Sequence, residues 1–169
     1  MRKALLGVVL VGLLTACAGT GTKTGADVDD RSKAPPGSGA AIGVDDVSAA
    51  ALRDPNNILS QRSVYYAFDS AVVEDKYKPM VEAHAKFLTA NPNARITLEG
   101  NCDERGSREY NLALGQQRAN SVKSMMKVLG VSDARLETIS YGEEKPKATG
   151  SDENAWAQNR RSDIQYVGE

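Results

Sequence analysis

The 169-residue sequence predicts an α/β (α+β) fold, a single domain with a four-stranded sheet and helices packed on one face, preceded by a disordered tether. From residue 61 onward, short segments of alternating apolar residues are interleaved with longer segments whose apolar residues recur at helical spacing. Residues 18–60 are instead dominated by Gly, Ala, Ser, Thr, Pro and Asp and contain no aromatic residue. Such a segment cannot bury enough apolar surface to offset its ordering entropy, which predicts the tether.

Four segments have the alternation that is typical of β-strands. In the first, Val64, Tyr66 and Phe68 form one face. In the last, Ile164 and Tyr166 point the same way. The predicted strands are 63–68, 95–99, 136–141 and 161–167.

Three helices are predicted between these strands. The first has Asp75 as its expected cap and Pro79 near its first turn, where a missing N–H costs little, and it ends at Asn91 before a proline. The second is a long helix that Ser107 caps and that runs to about residue 129, with a glycine closing it. The third is a short helix over residues 151–159.

The N-terminus has the pattern of a secretory signal peptide over residues 1–16. A short basic start is followed by an apolar run at 4–16, which is too short to span about 30 Å of hydrocarbon as a helix. The run ends in Leu-Thr-Ala directly before Cys17, which resembles the bacterial lipobox. The alternative is a chance cysteine after a signal peptide.

The lipobox resemblance implies diacylglycerol on the sulfur of Cys17, cleavage before it and acylation of the new N-terminus. Several acyl chains on one residue meet the need for more than one anchoring signal, since each buried CH₂ contributes roughly 0.8 kcal/mol. Ala18 favours the outer membrane by the same resemblance. Residues 17–60 then form a lipidated N-terminus and flexible linker, with a reach of roughly 35 Å for a Gly-rich coil. A transient helix over 44–53 is also compatible with the sequence.

Charge and metal-ligand content exclude two classes of function. The formal net charge is −1 and no run of Lys or Arg is present, so we expect no nucleic-acid partner. Cys17, Cys102 and the single histidine, His84, are too few and too far apart for a zinc site. We therefore expect no metal and no cofactor beyond the covalent lipid.

Arg118 is anomalous because it lies near the centre of the apolar stripe of the long helix. The other stripe positions are Asn111, Leu114, Gly115, Val122, Met125, Met126 and Leu129. Burying an unpartnered guanidinium is expensive, so Arg118 needs a partner. Two alternatives remain open from the residues alone: an internal ion pair with Asp103 or Glu104, or a ligand carboxylate with Asp103 free for a ligand ammonium. Gly115 on the same stripe indicates a close backbone approach or a ligand.

Three sequence blocks resemble the OmpA-like peptidoglycan-binding family. They are GNCDERGSREYNLALGQQRA at 100–119, YGEEKP at 141–146 and NRRSDI at 159–164. The resemblance extends over roughly residues 64–167 and implies a single OmpA-like domain at 61–169 with a mixed sheet. One departure is Cys102, where many relatives have Thr or Ala. We expect it to be a small, buried free thiol.

The resemblance also implies the ligand, the meso-diaminopimelate of the peptidoglycan stem peptide. Asp103 would bind its ammonium and Arg118 its carboxylate. The loop at Asp69, Ser70 and Ala71 resembles the family segment whose backbone borders the ligand. Two further residues belong to the matched blocks: Asn111, which would order the loop, and Arg161, which would be either a ligand contact or a structural ion pair.

Together with the lipobox, the resemblance implies a lipoprotein in the inner, periplasmic leaflet of the outer membrane that functions in envelope integrity and division. Its implied partners are the peptidoglycan stem peptide, outer-membrane lipid, and the periplasmic β-propeller and other components of the Tol system. A porin or a flagellar stator carrying the same domain would need preceding strands or a membrane helix, and the sequence has neither pattern.

An enzyme is the remaining alternative. Glu99, Asp103 and Glu104 are neighbouring carboxylates of the kind a glycosidase uses, but adjacent loop residues usually point apart. A serine hydrolase would need His84, which lies on the apolar stripe of the first helix and is expected to pack in the core. We therefore expect no catalytic activity.

Overall fold

The computed structural model describes residues 48–168. The signal peptide, Cys17 and most of the expected tether lie outside the described residues. The strands are β1 (Ser63–Tyr65), β2 (Ile96–Asn101), β3 (Leu136–Gly142) and β4 (Arg161–Tyr166). The helices are α1 (Lys78–Ala90), α2 (Arg108–Val128) and α3 (Glu153–Asn159).

The four strands form one mixed sheet in the order β1-β4-β2-β3. β4 is antiparallel to both neighbours, whereas β2 and β3 are parallel and connected through α2. The register places Leu98 beside Ile164, and Ile96 beside both Leu136 and Tyr166. These apolar side chains alternate with polar ones, so they form a single buried face. The predicted fold class is confirmed.

α1 and α2 pack on that buried face. Seven residues of α1 are buried, and Val81 and Leu88 are among those fully enclosed. The predicted stripe of α2 is buried from Asn111 to Met126 except for Met125, which is partly buried. Leu129, also expected on the stripe, is 39% exposed at the helix end. No helix within residues 48–168 has both the length and the apolar composition needed to cross a membrane.

Both ends of α2 follow the local chemistry that the sequence predicts, whereas the start of α1 does not. The Ser107 hydroxyl accepts a hydrogen bond from the backbone N–H of Tyr110, as predicted for the α2 cap, and Gly130 has φ +95 after the helix. The predicted cap at Asp75 is wrong. Its carboxylate instead forms an ion pair with Lys78, and a short 3₁₀ turn at Asp75–Tyr77 precedes α1.

The first strand is shorter than the alternation predicts. It ends at Tyr65, although the Tyr66 N–H still donates to the carbonyl of Arg160. The chain then turns, with Asp69 at φ +55, and leaves the side chain of Phe68 61% exposed. The turn into the loop at residues 67–71 therefore ends the strand, although the alternation of apolar residues continues to Phe68.

The packed domain also begins earlier than the predicted boundary at residue 61. Two 3₁₀ turns, Ala49–Leu52 and Ile58–Ser60, place Leu52, Ile58 and Leu59 in the hydrophobic core. Residues 48–60 therefore belong to the domain and not to the linker. Their few apolar side chains are buried because the sheet and α1 provide a surface for them, which composition alone does not reveal.

Candidate functional site

Two glycines bring the end of β2 against the middle of α2. A Cβ atom at Gly100 would lie 1.8 Å from the carbonyl oxygen of Gly115, and one at Gly115 would lie 2.3 Å from the hydroxyl oxygen of Ser140. Neither position tolerates a side chain at this spacing. Gly115 is thus explained by a close backbone approach, one of the two explanations that the sequence left open.

Arg118 lies one helical turn beyond this contact and is 1% exposed. Its Nε donates to the carbonyl of Ser70 at 2.8 Å, and one terminal nitrogen donates to the carbonyl of Asn101 at 2.9 Å. Weaker contacts reach the Cys102 sulfur at 3.3 Å and the Ala67 carbonyl at 3.4 Å. Neutral acceptors therefore orient the guanidinium without neutralising it.

Arg118 forms no ion pair with any carboxylate of residues 48–168. The internal pair with Asp103 or Glu104 that the sequence allowed is absent from this part of the chain. Burial lowers the pKa of Arg118, but an arginine in a protein keeps its proton. A buried positive charge thus remains without a negative partner among the described residues.

Asp103 follows β2 and is 4% exposed. Its carboxylate accepts from Arg105 at 2.6 Å and from Arg160 at 3.3 Å. Burial acts to raise the pKa of Asp103, but the hydrogen bonds from the two arginines outweigh burial and hold the pKa below its ordinary value. Asp103 is therefore an ionised acceptor.

Arg118 and Asp103 line the same cavity, which has a volume of about 160 Å³. One water needs about 10–15 Å³, so the cavity admits a group of several atoms. Its lining includes three arginines, Arg105, Arg118 and Arg160, and two aspartates, Asp69 and Asp103. The positive excess favours a ligand group that carries a carboxylate.

The loop at residues 67–71 borders the cavity unevenly. Asp69 lines it and accepts a hydrogen bond from the Tyr110 hydroxyl. Ser70 takes part through its carbonyl, which holds Arg118. Ala71 is not among the lining residues and borders a separate groove along α2 with Gln117.

Asn111 also lines the cavity, and its side-chain amide donates to the Glu143 carboxylate at 2.5 Å. The Asn111 carbonyl accepts from the Cys102 thiol at 3.2 Å. Asn111 therefore connects the cavity wall to the loop that follows β3. Cys102 is a buried free thiol, as predicted, and burial raises its pKa to about 11.

The structure does not bring Arg161 to the cavity. Arg161 forms an ion pair with Asp163 at 2.8 Å on the opposite face of the sheet. The cavity residue is its neighbour Arg160, which bonds Asp103, Glu153 at 2.6 Å and the carbonyl of Tyr66. The alternation that puts Ile164 on the core face also assigns even-numbered residues to that face, so this signal for Arg160 was present in the sequence.

Other chemistry-bearing groups lie away from the cavity. His84 is fully buried, with Nδ1 2.8 Å from the Tyr166 hydroxyl and Nε2 2.8 Å from the Gln61 carbonyl. This confirms the expected packed histidine. Within residues 48–168, no three His, Cys, Asp or Glu side chains are grouped so that they could hold a metal ion.

Comparison with known proteins is consistent with this geometry. Residues 65–160 match the OmpA family. The chain is 39% identical to the peptidoglycan-associated lipoprotein of Haemophilus influenzae over 164 residues, which is 97% of each chain. It is 47% identical to that of Pasteurella multocida over 110 residues, 64% of this chain and 73% of the relative.

A solved structure shows the same architecture. The crystal structure of the peptidoglycan-associated lipoprotein from Burkholderia pseudomallei superposes with a TM-score of 0.68 at 52% identity. The match covers 69% of this chain and 98% of that one. The chain therefore belongs to the OmpA family and, within it, to the peptidoglycan-associated lipoproteins.

Proposed function

We propose that the domain binds the peptidoglycan stem peptide non-covalently, by placing the end of its meso-diaminopimelate residue in the cavity. One observation carries the proposal. The buried guanidinium of Arg118 faces this cavity without a carboxylate partner in residues 48–168. A ligand carboxylate would provide the missing charge.

The chemistry of diaminopimelate fits the two opposed charges. Its side chain ends in a carbon that bears both an ammonium and a carboxylate. The planar fork of Arg118 suits bidentate binding of the carboxylate, and the carbonyls of Ser70 and Asn101 preset its orientation. The ionised Asp103 in the same cavity is the acceptor for the ammonium.

The other residues that the family resemblance implies have different roles in this proposal. Asp69 borders the ligand, Ser70 orients Arg118 through its carbonyl, and Asn111 orders the wall. Ala71 contributes at most backbone outside the cavity lining. Arg161 has its own carboxylate partner, which supports the structural alternative for that residue.

At the level of the cell, we propose that acylated Cys17 anchors the chain in the inner leaflet of the outer membrane. The domain would then tether that membrane to peptidoglycan and would also bind the periplasmic β-propeller and other components of the Tol system. The names of the relatives and the lipobox at Cys17 support the anchor. The family resemblance alone supports the Tol partners.

The pKa values of two carboxyl groups and the position of His84 favour a binding role over hydrolysis. A general acid in glycoside hydrolysis needs a raised carboxyl pKa, whereas the pKa values of Asp103 and Glu104 are both lowered. Both ring nitrogens of His84 are engaged inside the core, so it does not face the cavity. We therefore propose that the protein is not an enzyme.

The first experiment compares two synthetic stem peptides that differ only at the third residue, diaminopimelate or lysine. Lysine keeps the ammonium and lacks the carboxylate. Titration calorimetry should show at least about tenfold weaker binding of the lysine peptide, because a charge-assisted hydrogen bond contributes roughly 1.5–3 kcal/mol. Equal affinities would refute the role of Arg118.

Variants test the same assignment from the protein side. Asp103→Asn and Arg118→Lys should each weaken binding of the diaminopimelate peptide by about tenfold or more. Arg161→Gln is the matched control, since it removes an arginine that lies in an ion pair outside the cavity. Retained peptide binding in a folded Asp103→Asn, Arg118→Lys double variant would sink the site assignment.

Sacculus assays separate binding from hydrolysis, and labelling tests the anchor. Wild-type protein should sediment with insoluble peptidoglycan without releasing muropeptides. Cys17→Ser should abolish incorporation of labelled fatty acid and release the protein from the membrane fraction. Release of muropeptides, or membrane retention of the unlipidated variant, would contradict the corresponding proposal.

A further inference from the structure

The carboxylate of Asp103 already has all its acceptor positions in use. Its Oδ1 accepts from the backbone N–H of Arg105 at 3.1 Å and from Arg105 Nε at 3.2 Å. Its Oδ2 accepts from another Arg105 nitrogen at 2.6 Å and from Arg160 at 3.3 Å. A carboxylate offers about four acceptor sites, so a ligand ammonium must displace one of these donors.

Of the two arginines, Arg105 is the one that can leave. The Arg160 side chain is 7% exposed and is also held by the Tyr66 carbonyl and by Glu153. The Arg105 side chain is 32% exposed and lies in the loop between β2 and α2. Among the described residues 48–168, its guanidinium donates hydrogen bonds only to Asp103, so it is the less firmly held of the two.

Arg105 also has an alternative position close by. Its guanidinium is stacked between Phe68 at 4.3 Å and Trp156 at 4.0 Å, measured to the ring centroids. The carboxylate of Glu153 lies 3.8 Å from its terminal nitrogen. A small movement therefore exchanges Asp103 for Glu153 and keeps the aromatic contacts.

We propose that Arg105 competes with the ligand ammonium for Asp103: its guanidinium occupies the ammonium position and moves toward Glu153 when ligand enters. This inference rests on the proposed function. Breaking the ion pair between Arg105 and Asp103 costs free energy, and binding of the ligand has to offset this cost. A ligand that carries only an ammonium binds Asp103 at the cost of that ion pair. A ligand with both charges incurs the same cost but also forms an ion pair with Arg118. Arg105 thus lowers the affinity of every ligand that needs Asp103, and only a group that also binds Arg118 offsets this cost.

The test removes the competing cation without altering Arg118 or Asp103. Arg105→Gln should bind the lysine peptide about three- to tenfold more tightly than wild type, because the cost of breaking a partly exposed ion pair is gone. Affinity for the diaminopimelate peptide should rise as well. A third peptide, with the carboxylate but no amine at the side-chain end, should bind both proteins equally, since it never needs Asp103.

Arg108→Gln is the matched control, because Arg108 carries the same charge nearby, pairs with Glu144 and is not part of the cavity lining. Its affinities for all three peptides should equal those of wild type. Thermal melts of both variants check that the domain stays folded. Arg105→Lys, which keeps the charge but loses the fork, should give intermediate affinities.

The outcomes distinguish this inference from the proposed function. If wild type prefers diaminopimelate over lysine but Arg105→Gln binds the lysine peptide equally or more weakly, Arg105 does not compete and the inference fails alone. An equal gain for all three peptides would also overturn it, since the effect would not depend on the ammonium. If wild type does not bind the diaminopimelate peptide, the proposed function fails and the inference falls with it.

Discussion

Two buried basic side chains lie at opposite ends of the β2 and β4 strands. Arg118 bonds the carbonyl of Asn101 at the end of β2, whereas His84 contacts Tyr166, which pairs with Ile96 at the start of β2. Both project from apolar helix stripes, and both are essentially inaccessible to solvent, at 1% and 0% exposure. Burial therefore does not separate the residue proposed to bind ligand from a structural one.

The difference lies in charge and in the surrounding space. Burial lowers the pKa of His84 to about 4, so the ring is neutral at pH 7 and both nitrogens have matching partners in the core. Its Nε2 donates to the Gln61 carbonyl, and its Nδ1 accepts from the Tyr166 hydroxyl. Arg118 keeps its charge and borders a cavity. A buried charge that no carboxylate of residues 48–168 neutralises, beside a cavity, is the more informative feature.

The largest expected effect separates the two residues by function. Arg118→Met should weaken binding of the diaminopimelate peptide by about a hundredfold or more, because the ligand carboxylate loses its cation. Its free energy of unfolding should change by less than about 2 kcal/mol, since removing a buried charge offsets the lost hydrogen bonds. His84→Leu should show the reverse: about 2 kcal/mol of stability lost and peptide affinity unchanged.

Calorimetry and urea unfolding at pH 7 measure both quantities for each variant. A folded Arg118→Met protein that binds like wild type would make Arg118 structural, as His84 is. Loss of peptide binding in folded His84→Leu would instead show that the two ends of the core are energetically coupled.

The second prediction concerns the backbone contact that positions the cavity. Gly100→Ala should cost about 3 kcal/mol, because its Cβ would overlap the Gly115 carbonyl oxygen and the backbone itself must move. The shift also changes the spacing of Asp103 from Arg118, so peptide affinity should fall. The control is Gly130→Ala, which meets open space and costs about 1 kcal/mol for its φ of +95.

Unfolding curves and peptide titrations of the two glycine variants give the answer. Equal stability losses, or full peptide affinity in Gly100→Ala, would contradict the view that this contact sets the geometry of the cavity.

The third prediction concerns the contribution of His84 to the pH dependence of the free energy of unfolding. The unfolded chain protonates His84 below its ordinary pKa of 6.5, whereas the native protein does so only near 4. The unfolded state thus binds more protons between these values, and stability falls as pH decreases from 6.5 to 4. Between pH 7.5 and 4.5 we expect a loss of roughly 2.5 kcal/mol from His84.

The difference between wild type and His84→Leu isolates this contribution, because the lowered pKa of Asp103 acts only near and below pH 4. Urea unfolding at several pH values should show the gap between the two proteins closing as pH falls. Parallel profiles would mean that His84 is not held neutral in the native core.

The smallest expected effect is at the α2 cap beside the cavity. Ser107→Ala should cost about 1 kcal/mol of stability, because the Tyr110 N–H loses its acceptor, and peptide affinity should change less than about twofold. Ser107→Asp should restore the stability, since aspartate caps equally well. A large loss of affinity in Ser107→Ala would assign the cap a role in binding.

Local pattern predicted much of this domain. The helix starting at Ser107, the buried stripe around Arg118 and the strand at 161–167 all depend on interactions between residues a few positions apart. Asp75 failed as a cap because a lysine three residues on competes for its carboxylate. Phe68 failed as a strand residue because the chain turns toward the cavity at that point.

The site itself was predicted in part. Helical spacing made Arg118 anomalous, but the partners of Asp103 were not foreseen, since Arg160 arrives from 57 residues away. Strand alternation predicts that Arg160 and Arg161 lie on opposite faces of the sheet. The family block at 159–164 contains both residues and so does not indicate which of them lines the cavity. The stacking of Arg105 between Phe68 and Trp156 joins three segments, and no local pattern indicates it.

Short-range patterns were enough to predict the order of helices and strands, the α2 cap and the presence of a cation on an apolar stripe, because each depends on residues a few positions apart. The three-dimensional packing is needed to see that no carboxylate of residues 48–168 pairs with Arg118, and that Arg105 and Arg160 bind Asp103. Ion pairing depends on differences of an ångström between distant segments. The packing of Gly100 on Gly115 holds the end of β2 against α2, next to the segments that carry Asp103 and Arg118.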